Sequence, residues 1–166
     1  MPAELLLTLA TVSIGFAGLA ALSQLVVGLA GVPWRPEMTT ALWLMTEWSI
    51  GTLAFSLLPL ILLQFKIELA TVISVCSLLL GCYFLLIIGK ALTRDIRLLR
   101  SGSRPPVRIM MIFGPLAVVI GIGTILNAFT ALPGPRGAWY VSAVFAALMY
   151  AALPLWHLMS LLQESK

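Results

Sequence analysis

The sequence predicts an all-α integral membrane protein: one domain, residues 1–166, folded as a bundle of five transmembrane helices with the N-terminus outside and the C-terminus in the cytoplasm. Three observations carry this. Of the 166 residues, 61% are hydrophobic and 10% are charged, and the mean hydropathy is +1.08. Soluble domains carry roughly 25% charged residues, so this inventory cannot build a water-facing surface. Apolar runs recur at about the twenty-residue length that crosses ~30 Å of hydrocarbon, where a helix satisfies every backbone polar group internally. Finally, the basic residues are distributed unevenly between the connections.

The first span runs over about 5–31 and stops at Val32-Pro33-Trp34-Arg35-Pro36. It is too long for a secretory h-region and no basic n-region precedes it, so it reads as an uncleaved span, although Gly28-Leu29-Ala30 resembles a cleavage site. The second covers about 38–63 and contains Trp43, Glu47 and Trp48. A short turn around Phe65-Lys66-Ile67-Glu68 leads into the third, about 69–89. A basic connection, 90–108, follows, broken by Ser101-Gly102-Ser103-Arg104-Pro105-Pro106. The fourth span, about 109–132, ends at Pro133-Gly134-Pro135-Arg136-Gly137, and the fifth occupies about 138–162. No internal repeat is visible, and an odd number of spans argues against a simple inverted duplication.

Orientation follows from Lys and Arg. One side of the membrane receives Arg35, Lys90, Arg94, Arg97, Arg100, Arg104, Arg108 and Lys166, and the other only Lys66 and Arg136. Basic residues collect on the cytoplasmic side, which places the C-terminus inside; the expected location is a bacterial inner membrane. The same rule accounts for the net charge of +4 without a nucleic-acid partner. Trp34, Trp43, Trp139, Tyr140 and Trp156 fall where interfacial anchors belong.

Glu47 is the one carboxylate inside the second apolar run. A charge at the bilayer centre costs about 2.5–3.5 kcal/mol on insertion scales and usually faces a bundle interior, a cavity or a partner. It lies about 13 Å along the helix from Met38, or about 6 Å from Trp43 if that ring marks the interface. The greater depth suits an ion or proton site; the shallower suits snorkelling or a packing role. Gln24 and His157 fall in the same cytoplasmic third and are candidates to share that site, because histidine titrates near neutrality and burial raises a carboxyl pKa.

Other candidates are structural. Ser13, Ala17 and Ala21, with Gly15 and Gly18 nearby, form a small-residue stripe for close helix packing, and Asn127 is suited to bonding across helices. Pro59, Gly114-Pro115 and Pro154 interrupt spans and are hinge candidates. Lys90, Arg94, Arg97, Arg100, Arg104 and Arg108 are expected to contact anionic lipid headgroups at the cytoplasmic face. Cys76 and Cys82 lie six residues apart, about 120° around a helix, too divergent to bridge and readable as apolar fillers.

Familiar catalytic signatures are missing: no metal-ligand spacing, nucleophile elbow, dinucleotide fingerprint or paired intramembrane carboxylates. The single histidine excludes bis-histidine haem ligation by one chain. The expectation is therefore a non-enzyme without cofactor or metal. The expected function is an oligomeric proton or small-ion conduit using Glu47; the alternative is a non-catalytic membrane subunit that packs against a partner. Five short helices bury limited area, so a homo-oligomer or a larger membrane complex is expected in either case.

Overall fold

The structure is a computed structural model that describes the backbone of residues 3–29, 36–100, 107–129 and 135–164. These residues form five helices: α1 (Ala3–Leu29), α2 (Pro36–Gln64), α3 (Leu69–Arg100), α4 (Val107–Phe129) and α5 (Arg136–Glu164). No strand occurs among them. Four helices contain stretches long and apolar enough to cross a membrane, Glu4–Leu25, Met38–Gln64, Leu69–Arg97 and Arg136–Pro154. The described apolar stretch of α4, Gly114–Phe129, is shorter.

Local chemistry sets the helix ends. Pro36 opens α2, where a missing N–H is harmless and a fixed φ is already helical. At the other end of α2, Phe65 and Lys66 donate N–H bonds to the carbonyls of Leu62 and Leu63, each at 3.1 Å. Lys66 takes φ 59°, the left-handed conformation that closes a helix, and Val72 N–H to Glu68 O at 3.0 Å starts α3. The third helix runs through to Arg100, beyond the span expected to end near 89.

The second helix runs antiparallel to both α3 and α5. Tyr83 and Phe84 of α3 meet Trp48 of α2, while Arg94 reaches back to Trp43. Along α5, Tyr150 meets Trp48 and Tyr140 meets Phe55. Among the described residues α1 touches only α2 and α5, and α4 only α3 and α5, so α1 and α4 lie on opposite flanks of an α2–α3–α5 centre. The end carrying Lys90, Arg94, Arg97 and Arg100 is called the basic end below.

The core follows helical stripes. On α3 the buried apolar stripe includes Val72, Cys76, Leu80, Phe84, Ile87 and Ala91, and on α5 it includes Tyr140, Val144, Ala147 and Ala151. The outer faces remain apolar: Leu7, Ile14, Leu22, Leu86, Val119 and Phe129 are all exposed. An apolar surface of this extent is suited to lipid or to another apolar surface.

Two glycines face each other where α3 meets α4. A Cβ on Gly81 of α3 would lie 2.6 Å from the Gly121 carbonyl oxygen of α4, and one on Gly121 would lie 3.3 Å from the Gly81 carbonyl. Only hydrogen fits between these backbones, as in small-residue packing within membranes.

Candidate functional site

Glu47 sits about 17 Å along α2 from Pro36, measured by helical rise. Its side chain is half-buried. Its carbonyl accepts a hydrogen bond from the Tyr83 hydroxyl, which crosses from α3. That crossing requires Gly51, one turn further along α2, since any Cβ there would collide with the Tyr83 phenol. The Glu47 carboxylate forms no ion pair or hydrogen bond among the described residues.

Next to Glu47, around Trp48, the centre of the bundle is filled with rings. Trp48 is 2% exposed and packs on Phe84 at 4.9 Å, Tyr150 at 5.1 Å and Tyr83 at 5.9 Å between centroids. Phe84 and Tyr150 close the triangle at 6.0 Å, and Phe55 meets Tyr83 at 5.4 Å. The rings come from α2, α3 and α5, so they cross the interior between all three central helices.

Four interior serine and threonine hydroxyls are satisfied within their own helices. Ser13, Ser49, Thr52 and Ser56 are fully buried, and each donates to the carbonyl four residues earlier, at 2.6–2.8 Å. A hydroxyl bonded within its own helix is a small filler with little left to offer a passing ion.

At the basic end the Arg94 guanidinium lies 4.3 Å over the Trp43 ring. Its Nη1 is buried with no hydrogen-bond acceptor. Beside Trp43 a cavity of about 470 Å³ opens between α1 and α2, lined by Gln24, Thr39, Leu42, Trp43 and Thr46. Lys90, Arg97 and Arg100 remain exposed, whereas Asp95, next to Arg94, is 6% exposed.

At the opposite end a proline is compensated by a tyrosine. Pro59 has no N–H to offer the Phe55 carbonyl four residues earlier. The Tyr140 hydroxyl of α5 donates to that carbonyl instead. Tyr140 is fully buried, so it is a core residue and not the interfacial anchor its place beside Trp139 suggested; Trp139 is 44% exposed. Nearby, Asn127 Nδ2 donates to Ser77 Oγ on α3 and to the Arg136 carbonyl on α5, both at 3.2 Å, which ties α4 to both helices. Its Oδ1 is buried without a partner.

The remaining sequence candidates distribute as follows. Gln24 lines the basic-end cavity, whereas Glu47 does not. The side chain of His157 lies outside the described residues, as do Arg104 and the side chain of Arg108. Ser13 faces the core and Ala17 is half-buried, but Gly15, Gly18 and Ala21 are exposed, with nothing within 4 Å of a Cβ built on either glycine. Pro59 is buried, Gly114 and Pro154 are half-buried and Pro115 is exposed, and all three prolines sit inside continuous helices. Sequence reasoning passed over Tyr83, Phe84, Tyr150 and Gly81. The helical period of apolar residues on α3 is the signal that could have found Phe84.

Among the described residues no group of three or more His, Cys, Asp or Glu side chains could hold a metal ion. No family model, curated protein or solved structure matches the chain. Fold and composition together are those of an α-helical membrane protein, with four helices among the described residues long and apolar enough to cross a bilayer.

Proposed function

We propose that the chain is a non-catalytic membrane subunit: five spans, N-terminus outside, C-terminus in the cytoplasm of a bacterium, packed side by side with a partner membrane protein or with further copies of itself. The observation that carries this reading is the outward face of α1, where Gly15, Gly18 and Ala21 are exposed and nothing within the bundle approaches the two glycines. Small residues on a lipid-facing helix let a second helix come close. The ring cluster around Trp48 supports the same reading, because it fills the space between α2, α3 and α5 that a single-chain pathway would need.

Cysteine cross-linking tests it. Gly18→Cys in a Cys82→Ser background, oxidised in native membranes, is expected to give a discrete adduct, and Gly18→Leu is expected to abolish co-purification of the partner. Monomeric behaviour in mild detergent with no adduct at position 18 would overturn it.

A second reading is favoured by Glu47, which is half-buried and has no ion pair among the described residues. In that reading Glu47 serves a proton or cation pathway completed by oligomerisation. Proton and K⁺ flux in proteoliposomes separates the two. Flux that Glu47→Gln removes while folding persists supports the conduit, and no flux above empty vesicles favours the subunit.

A further inference from the structure

We propose that the outer face of α3 at the basic end is a binding surface for anionic phospholipid, with Lys90, Arg97 and Arg100 holding the headgroups of lipids whose chains lie against Leu79 and Leu86. At about 100° per residue these five positions fall within one arc of roughly 80° around the helix. All five side chains are exposed. They form one continuous strip, apolar along the span and basic at its end. A lipid whose chain packs on the apolar part has its headgroup beside the cations, where each Lys or Arg attracts anionic lipid. The strip is on α3 and is independent of the outward face of α1.

Depth fits this placement. From Leu69, where α3 begins, to Lys90 the helix rises about 32 Å, close to the ~30 Å of hydrocarbon it has to cross. Lys90 then stands at the hydrocarbon boundary. Arg97 and Arg100 lie about 10 and 15 Å further along the axis, past a headgroup layer roughly 5–8 Å deep. Cations so placed bracket the phosphate plane, with the lysine reaching out of the hydrocarbon and the arginines reaching back. Leu92 and Ile96 are exposed on the same stretch of helix, which suits the half-apolar interface of a bilayer rather than open water. The strip carries no opposing charge, because Asp95, the acidic residue of α3, is 6% exposed on the other side of the helix. Arg94 is set apart as well. It lies about 40° from Lys90 toward the core stripe, with its guanidinium over Trp43 and its Nη1 buried. The sequence groups Arg94 with the lipid-facing cations, and the fold separates it from them.

Lipid quenching of the full chain in phosphatidylcholine nanodiscs tests it. A bimane on Leu86→Cys, in a Cys82→Ser background that leaves only the buried Cys76, reads the strip. A bimane on Met149→Cys in the same background reads an exposed face of α5 beside Tyr150, which like Phe84 of α3 packs on Trp48. Acyl-brominated phosphatidylglycerol and phosphatidylcholine with identical chains are the quenchers, each at low mole fraction. At position 86 phosphatidylglycerol should quench with an apparent affinity on the order of fivefold above phosphatidylcholine, and at position 149 the two should be equal. Replacing Lys90, Arg97 and Arg100 together by Gln should bring the ratio at position 86 close to one, whereas Arg94→Gln should leave it near wild type. Salt at 1 M should also collapse the ratio, and this arm together with the contrast between the two positions decides the matter if the triple variant misfolds. Equal quenching by the two lipids at position 86, the same preference at position 149, a preference that salt leaves intact, or as large a loss from Arg94→Gln as from the triple variant would each overturn the surface. Polyglutamate that binds the wild-type bundle and is not displaced by phosphatidylglycerol would overturn it too, assigning the strip to an acidic protein.

Discussion

Tyr140 shows how one side chain can hold a neighbouring helix together. Its hydroxyl occupies the acceptor that Pro59 leaves open at Phe55. Tyr140→Phe keeps the ring and removes the bond, so unfolding titrations in mixed micelles should show a loss of about 1–3 kcal/mol, the cost of an unsatisfied buried carbonyl. In a Pro59→Ala background the new amide can bond Phe55 itself, and the same substitution should then cost much less. Equal costs in the two backgrounds would break the link between proline and tyrosine. The sequence misled at this residue for a geometric reason. Trp139 and Tyr140 look like a pair of interfacial aromatics, yet adjacent residues point about 100° apart on a helix. One therefore meets lipid while the other is buried. Glu47 was legible as a place of interest because a lone carboxylate in an apolar run is expensive. Its contact with Tyr83 was not, because that contact uses the backbone carbonyl of Glu47 and depends on a glycine one turn away.

Helices were easier to read than their faces. Apolar runs, prolines and the short Lys66 turn located all five elements, with the largest departure at the end of α3. Faces depend on phase, and a small error in period accumulates. The stripe Ser13, Ala17, Ala21 steps by four residues, which advances about 40° per step beyond a full turn. By Ala21 it has rotated out of the packing face, and Ala20, 1% exposed, has taken its place. The contact of α3 with α4 was hidden for a different reason: a glycine announces room for a close approach but not what approaches. Gly81→Val should force these helices apart, since its Cβ alone would lie 2.6 Å from the Gly121 carbonyl. A loss of about 1–3 kcal/mol is expected for such overpacking, measured as a lower melting temperature in detergent. Gly123→Ala on α4 has nothing within 4 Å of its added methyl and should leave the melting temperature near wild type. If both variants behave alike, the Gly81–Gly121 contact does not govern the pair.

Across the whole molecule, α2, α3 and α5 meet at the rings around Trp48, and α1 and α4 flank them. Trp48→Ala should be among the most damaging single changes, at about 3–5 kcal/mol for a large buried ring, with thermal unfolding in detergent as the readout. Any conductance gained by Trp48→Ala in proteoliposomes and absent from wild type would show that the rings act as a barrier as well as a core. This organisation could not be read from the sequence, because matching depths along spans does not give helix order or rotation. Gln24 and Glu47 share a depth, yet only Gln24 opens into the basic-end cavity. The Pro59–Tyr140 pairing also imposes a schedule on biogenesis. The hydroxyl that completes α2 lies 85 residues downstream of the carbonyl it serves. At translation rates of about 5–20 residues per second, α2 must wait on the order of ten seconds in or beside the translocon with an open carbonyl in a lipid environment. A nascent chain stopped before residue 140 would present that flaw permanently, giving membrane proteases a means of telling unfinished copies from complete ones.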